Sequence, residues 1–189
     1  MFKHILVPLD GSSLAESVVP HVLQIAQSFD SKVTCLHVLE QPKQAGEMQA
    51  VDPLGWEFRT KEVRMYLSDW TYRLQEVGVE VESVILEGPA AERIAEFALR
   101  HDVDLIALSS HGQSGLSSWN VSSVVQKVLL RGCTSIMIVR AYEFMQQDWH
   151  GVRYQRILVP LDGSQRAEMA LPVASTLADH CDAQLVLAH

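Results

Sequence analysis

Long apolar runs are missing from this sequence: no stretch approaches the roughly 20 consecutive apolar residues that a membrane-spanning helix needs. We therefore expect no association with a membrane. Met1 leads directly into the strand-like Ile5-Leu6-Val7, without the basic start and apolar run of a signal peptide. We expect a cytoplasmic protein.

Cysteine is scarce as well. The three cysteines, Cys35, Cys133 and Cys181, form an odd set without CxxC spacing, and each lies among apolar residues. Such a pattern predicts inert, buried thiols in a reducing compartment rather than a disulfide framework or a metal site.

Clusters of basic residues are also absent. The chain has 15 Lys and Arg against 23 Asp and Glu, which gives a formal net charge of −8. A nucleic-acid-binding surface needs grouped Lys and Arg to neutralise phosphates, so we expect no nucleic-acid partner. A small anionic ligand is still compatible with this charge, because backbone N–H groups at a helix start bind phosphate locally.

Two familiar phosphate-binding motifs do not occur. There is no GxxxxGK[ST], which excludes an ordinary P-loop. No GxGxxG follows the first predicted strand, which disfavours a dinucleotide site. A phosphate site in this chain would have to be built differently.

What the sequence does contain is an internal repeat. The octamer ILVPLDGS occurs at Ile5–Ser12 and again at Ile157–Ser164, and a match at the constant offset of 152 extends over Phe2–His37 and Tyr154–His189. Self-similarity at a fixed offset indicates a duplicated folding unit. We predict a complete domain over 1–141, a connector over 142–151, and the N-terminal part of a second, truncated repeat over 152–189.

Within the complete unit, apolar strand-like runs alternate with helical periods. The predicted strands are Ile5–Pro8, Val33–Val38, Val79–Leu86, Asp104–Leu108 and Ser135–Val139. The predicted helices cover about Ala15–Ala26, Glu57–Val77, Ala91–Arg100 and Val121–Leu130, and a long loop covers Glu40–Gly55. This alternation predicts an α/β fold: an open, doubly wound, five-stranded parallel sheet, followed by a partial β-α-β second repeat.

Two strand-to-helix loops, Leu9–Ser13 and Ser109–Ser118, then fall at the carboxyl ends of parallel strands, where such sheets bind ligands. The second loop consists mostly of small or polar residues and is followed by Ser122-Ser123-Val124 at a helix start. Small residues allow a ligand to approach closely, and helix-start amides donate to an anion. The alternative is purely structural: the glycines form a tight turn and Ser122 caps the helix.

Several motifs in the same order resemble those of the universal stress protein family. They are LVPLDGS, CLHV, EGPAAERI and LIALSSHGQSG…SSVVQKVLLRGCTSIMIVR, and they span Met1–Arg140 and restart from Val152. The resemblance implies a Rossmann-like fold related to the adenine nucleotide alpha hydrolases, and a dimeric or tandem protein. It also implies membership of either the ATP-binding or the non-binding group of the family.

The ATP-binding members carry Gly-x2-Gly-x9-Gly-Ser/Thr after the fourth strand. Laid on this chain, the motif falls on Ser109, Gly112, Ser122 and Ser123, so that serine replaces two of the three glycines. A β-carbon is costly at those two positions only if the backbone has a positive φ there.

The resemblance further implies a set of ligand-binding residues for ATP, with or without Mg²⁺. Asp10 would accept hydrogen bonds from the ribose or the adenine edge, although an N-cap or Asx-turn role is the structural alternative. Four apolar residues would wall the base: Pro8, Leu9, Val38 and Leu108. The phosphate side would comprise Ser109, Gly112, Gly115, Ser122, Ser123 and Val124.

Efficient catalysis is not expected, and no catalytic residue is predicted. Metal-assisted phosphoryl transfer needs carboxylates and a cation, and none lies between Ser109 and Val125. A nucleophile set of Ser110, His111 and Asp10 can be drawn on paper, but neighbours on a turn rarely point at each other and no GxSxG elbow is present. We favour a nucleotide-dependent regulator or scaffold that forms a homodimer through the fifth strand, the truncated repeat or both. The alternatives are a non-binding dimerisation module and a weak ATPase.

Overall fold

The computed structural model describes residues 1–40, 53–112, 121–132, 134–141 and 152–189. Several sequence-based predictions therefore fall outside the described residues. They are Gly115 and the rest of residues 113–118 in the loop predicted over Ser109–Ser118, Cys133, most of the loop predicted over Glu40–Gly55, and the whole connector over 142–151.

Five parallel strands form the central sheet, as the sequence predicts. They are β1 (His4–Pro8), β2 (Lys32–Leu39), β3 (Val81–Glu87), β4 (Leu105–Ser109) and β5 (Ser135–Val139). Their order across the sheet is β3-β2-β1-β4-β5, and every neighbouring pair is parallel. The chain therefore winds outward in both directions from β1, and the switch point lies between β1 and β4. Ligand crevices in such sheets open at this point.

Among the described residues, five helices cover the two faces of the sheet. They are α1 (Ser13–Glu16), α2 (Val19–Phe29), α3 (Pro53–Glu76), α4 (Ala90–Arg100) and α5 (Ser123–Arg131). The helices α2 and α3 form one core with Ile5 and Val7, and α4 and α5 form a second core with Leu6. Strand β1 is thus buried on both faces, which explains its continuous apolar sequence. Burying a leucine such as Leu6 contributes about 1.5–3 kcal/mol to stability.

The single helix predicted over Ala15–Ala26 is wrong in one respect, because the structure divides it. Helix α1 ends at Glu16 and α2 begins at Val19. Pro20 has no N–H to donate to the carbonyl of Glu16, four residues earlier, and it lies in the first turn of α2.

The second repeat forms the predicted β-α-β unit. It comprises β6 (Arg156–Pro160), α6 (Gln165–Glu168), α7 (Ala170–Cys181) and β7 (Gln184–Ala188), and β6 and β7 pair in a separate two-stranded sheet. The register is that of the first repeat shifted by 152, because Arg156 pairs with Gln184 as His4 pairs with Lys32. The domain limits at 141 and 152 stay a prediction.

The second repeat packs against the first through equivalent helices. The Tyr154 hydroxyl lies 2.8 Å from Nδ1 of His21 on α2, and Val173 and Leu177 of α7 pack against the α2–α3 core. Within the described residues, no helix covers one face of the small sheet. Leu158 is 64% exposed, whereas its counterpart Leu6, covered by α4 and α5, is fully buried.

The two cysteines among the described residues are buried, as the sequence predicts. Cys35 and Cys181 are both buried and unbonded to each other. Burial raises the pKa of the Cys35 thiol to about 12, which leaves it protonated and unreactive. Among the described residues, no helix is long and apolar enough to cross a membrane.

Candidate functional site

A pocket of about 260 Å³ opens at the carboxyl ends of β1 and β4, at the switch point of the sheet. Ten of the eleven residues predicted to bind a nucleotide line it, and the eleventh, Gly115, lies outside the described residues. The ten are Pro8, Leu9, Asp10, Val38, Leu108, Ser109, Gly112, Ser122, Ser123 and Val124. The topology therefore brings the two predicted loops together.

Asp10 is held at the end of β1 by its own turn. Its Oδ1 accepts hydrogen bonds from the backbone N–H of Ser12 at 2.9 Å and from the Ser12 hydroxyl at 2.6 Å. Ser12 Oγ in turn accepts from the amide of Ala15 and caps α1. The structural alternative for Asp10 is thus present as an Asx-type turn, with Ser12 as the N-cap. This turn uses Oδ1.

Oδ2 of Asp10 lies against the backbone of Gly112. A β-carbon built on Gly112 would overlap this oxygen. The backbone of Gly112 does not have a positive φ. The glycine is therefore required by the close approach of Asp10, which joins the loop after β1 to the loop after β4.

The two serines that replace family glycines fit their backbone positions. Ser109 is the last residue of β4, and Ser122 has φ −56° and ψ 150°. Neither belongs to the described non-glycine residues with positive φ, which are Asp30, Asp102 and Asp182. A β-carbon is therefore tolerated at both positions without backbone strain.

Helix α5 begins at the pocket with its N-cap Ser122 and its first two residues, Ser123 and Val124. Ser122 caps it, because its Oγ accepts from the amide of Val125 at 3.3 Å and its carbonyl accepts from Gln126. Within the described part of the chain, the amides of Ser123 and Val124 have no hydrogen-bond partner. Both residues line the pocket. Helix-start amides of this kind can donate to an anion, and the helix dipole favours negative charge there.

The apolar part of the pocket includes residues that sequence reasoning missed. Leu36 from β2 and Ala90 and Ile94 from α4 contribute to the wall, as does Val125 from α5. One sequence signal could have indicated the contribution of α4. The Gly88–Pro89 turn, which connects β3 to α4, also lies at the carboxyl edge of the sheet. Nothing in the pattern of α4 indicated that its first turns, with Ala90 and Ile94, would line the pocket.

Ser110 and His111 do contact each other, contrary to our expectation for neighbours on a turn. Ser110 Oγ lies 2.9 Å from His111 Nδ1, and it also accepts from the amide of Ala141 at 3.0 Å. Ser110 is 8% exposed, and the described lining of the pocket includes His111 but not Ser110. The contact therefore secures the loop to the end of β5 and does not present a nucleophile to the pocket.

Across the described segments, no group of three or more His, Cys, Asp or Glu side chains is arranged to hold a metal ion. The pocket itself offers the Asp10 carboxylate and the His111 ring as its ionisable groups.

Known proteins resemble this chain in both sequence and fold. Residues 1–140 match the universal stress protein family. Universal stress protein MJ0531 of Methanocaldococcus jannaschii is 28% identical over 141 residues, covering 74% of this chain and 83% of the relative. The solved structure of MJ0577 from the same organism superposes with a TM-score of 0.66 at 26% identity, covering 76% of this chain and 99% of that one.

Other solved structures share the fold at lower identity. A universal stress protein from Archaeoglobus fulgidus has a TM-score of 0.74 at 18% identity, covering 97% of this chain and 65% of that one. A universal stress protein in complex with cAMP has a TM-score of 0.55 at 20% identity, covering 73% of this chain and 96% of that one. The match over residues 1–140 and the shared five-stranded sheet lead to one conclusion: this chain belongs to the universal stress protein family.

Proposed function

We propose that the pocket binds ATP or a related adenine nucleotide, and that the protein acts in a stress response as a nucleotide-dependent regulator or scaffold. One observation carries the proposal. Ten residues that the family resemblance implies as ligand-binding line one pocket at the switch point of the sheet, beside two helix-start amides that have no partner among the described residues.

The parts of the pocket suit the parts of a nucleotide. Leu36, Val38 and Ile94 provide an apolar wall for a base. Oδ2 of Asp10 supplies an acceptor for a ribose hydroxyl, while Oδ1 stays in its turn. The amides of Ser123 and Val124 suit a phosphate.

A neighbouring structure supports the ligand class. The universal stress protein that shares this fold at a TM-score of 0.55 was solved with cAMP, an adenine nucleotide. Its identity to this chain is low, so the fold is what the two proteins share. We extend the ligand class to this chain because its own pocket offers an apolar wall, an acceptor and open amides in one place.

Regulation fits the pocket better than turnover. Phosphoryl transfer uses acidic ligands for Mg²⁺ and a cation on the terminal phosphate. Among the described residues that line the pocket, Asp10 is the only carboxylate and neither Lys nor Arg occurs. We therefore propose binding without efficient hydrolysis.

The test is direct. Purified protein is denatured, and the released small molecules are separated by chromatography. The refolded or ligand-free protein is then titrated with ATP, with and without Mg²⁺, in a calorimeter. Released nucleotide or a saturable heat supports the proposal. No released nucleotide, and no heat with either ATP or AMP at millimolar concentration, would favour the non-binding dimerisation module instead.

The repeat supplies a matched control for the titration. Asp162 is the counterpart of Asp10, and its Oδ1 accepts from the amide of Ser164 at 2.9 Å in the same turn. Asp162 is exposed and does not line the pocket. We expect Asp10→Ala to weaken binding about 10- to 100-fold, the value of a hydrogen bond to a charged group, and Asp162→Ala to leave it unchanged.

We also propose that the protein is a cytoplasmic homodimer that associates through β5, the second repeat or both. Strand β5 lies at the edge of the five-stranded sheet, and its Ile138 is 41% exposed. An edge strand with an exposed apolar side chain is a common site of pairing between chains. Light scattering of the full chain in solution tests the oligomeric state.

A further inference from the structure

A second cavity of about 470 Å³ adjoins the nucleotide pocket. It lies between the N-terminal turns of α4 and α5. The two cavities share three lining residues, Ala90, Ser123 and Val124. A phosphate held by the amides of Ser123 and Val124 would therefore face both cavities.

The second cavity has a predominantly acidic lining. Three carboxylates, those of Glu40, Glu87 and Glu92, line it, and Lys127 is the one cation among its described lining residues. The pKa of Glu92 is lowered, first by its own backbone N–H and then by Arg131, whose guanidinium lies 2.5 Å away. Glu92 is thus ionised at neutral pH, with Arg131 as its partner.

Glu40 lines the second cavity and contacts Ala90, a residue that lines both cavities. Its Oε1 accepts from the amide of Ala90 at 2.6 Å, at the first residue of α4. The N-cap of α4 is Pro89, whose side chain makes no capping hydrogen bond. The Glu40 carboxylate therefore takes the place at the start of α4 that an anionic ligand could occupy.

The N-terminal ends of α4 and α5 border these cavities, and they differ in whether their amides already have a hydrogen-bond partner. The start of α4 is occupied by a carboxylate of the protein itself, whereas the first two amides of α5, those of Ser123 and Val124, have no partner within the described segments. One phosphate can therefore be received at α5. Each further phosphate adds negative charge beside Glu40 and Glu87, and Lys127 can offset only part of it.

We propose that the second cavity excludes phosphate, so that the site selects an adenosine nucleotide with a single phosphate, linear or cyclic, over the triphosphate when no divalent cation is present. Glu40 is the residue that determines this specificity. The inference rests on the proposed function, since it presumes that an adenine nucleotide enters the first pocket.

The expected change in ATP affinity is modest because the carboxylates concerned are exposed to solvent. Glu40 and Glu87 are both exposed, so water and salt screen their repulsion. For charges several ångströms apart at a protein surface, removing one carboxylate should change the affinity for ATP about three- to tenfold.

The experiment compares AMP, ADP and ATP by calorimetry on the full chain, at low salt and with EDTA present. We expect AMP to bind more tightly than ATP. Glu40→Gln keeps an oxygen acceptor for the amide of Ala90 but removes the charge. We expect this variant to raise the affinity for ATP about three- to tenfold and to change that for AMP less than about twofold.

Two further variants complete the test. Glu80→Gln removes the same charge at the amino-terminal edge of the sheet, just before β3, and should change neither affinity. Lys127→Gln removes the one cation that the described residues contribute to the second cavity and should weaken ATP binding relative to AMP. Its effect has the opposite sign to that of Glu40→Gln, so general damage to the fold cannot produce both results.

Two outcomes overturn the inference and leave the proposed function standing. One is ATP binding at least as tightly as AMP without metal. The other is an equal gain in ATP affinity in Glu40→Gln and Glu80→Gln. If neither AMP nor ATP binds to the unaltered protein, the proposed function fails as well.

Discussion

Oδ2 of Asp10 occupies the space that a β-carbon on Gly112 would require. This relationship links the loops that follow β1 and β4, two strands that are adjacent in the sheet but about 100 residues apart in the chain. It places the acceptor and the small-residue loop of the site side by side. The energetic coupling between Asp10 and Gly112 can be measured.

Gly112→Ala should destabilise the protein by about 1–3 kcal/mol, because the new methyl group must displace the Asp10 carboxylate. Urea denaturation gives the free energy of unfolding. In the Asp10→Ala background the same substitution should cost less than about 1 kcal/mol, since the obstructing oxygen is gone. Strictly additive effects in this double-mutant cycle would contradict the steric link.

Restoring the family glycines should not improve nucleotide binding. Neither Ser109 nor Ser122 has a positive φ, so glycine offers no relief of backbone strain. We expect Ser109→Gly and Ser122→Gly to change the calorimetric affinity for AMP less than about threefold, with a stability cost of about 1 kcal/mol or less each. A gain of about tenfold in affinity would mean instead that the side chains obstruct the ligand.

The cap itself can be tested at the same position. Ser122→Ala removes the acceptor for the amide of Val125 at the start of α5. We expect a loss of about 0.5–2 kcal/mol in the free energy of unfolding, larger than that of Ser122→Gly, because glycine is a tolerated N-cap. Equal stability of the two variants would contradict the capping role.

Acidification should destabilise the fold through one buried histidine, His4, and two half-buried ones, His21 and His37. Burial lowers the pKa of His4 below its usual 6.5, and it does the same for His21 and His37. The folded state then binds fewer protons than the unfolded state below pH 6.5, so the stability present above that pH is lost as the pH falls. For each histidine, the free energy of unfolding can fall by at most about 1.4 kcal/mol per pH unit.

His4 allows this pH dependence to be assigned. Its Nδ1 lies 2.9 Å from the carbonyl of His101 and its Nε2 lies 2.8 Å from Thr34 Oγ1. We expect His4→Gln to reduce the slope of the free energy of unfolding between about pH 6.5 and about pH 5.5, measured by urea denaturation. The exposed His180 serves as the control, and an equal effect of His180→Gln would refute the assignment.

The contact between the repeats gives a further prediction. Burial raises the pKa of the Tyr154 hydroxyl to about 12, and this hydroxyl lies 2.8 Å from His21. We expect Tyr154→Phe to cost about 0.5–1.5 kcal/mol in unfolding free energy and to increase amide exchange in α7. Tyr72→Phe, at a position 61% exposed, should have no effect. A second repeat that exchanges freely in the unaltered protein would contradict the packing.

Much of the fold could be predicted because its signals are local. The apolar runs of β1 and β2, the glycine turns and the repeat of ILVPLDGS each depend on residues close together in the chain. The same local pattern produces the same strand register in both repeats. The break between α1 and α2 was missed, although Pro20 was its local signal.

The sequence by itself determined the order of strands and helices, the duplicated unit and the two loops whose residues now line one pocket. These depend on periodicity, turn residues and the rule that parallel strands share a carboxyl edge. Only the tertiary structure decided which atoms meet across that edge. The approach of Asp10 to Gly112, the capping of Ala90 by Glu40 and the contribution of Ile94 to the wall are examples. Each joins residues separated by tens of positions, and their distance depends on how the helices pack on the sheet, which no local pattern specifies.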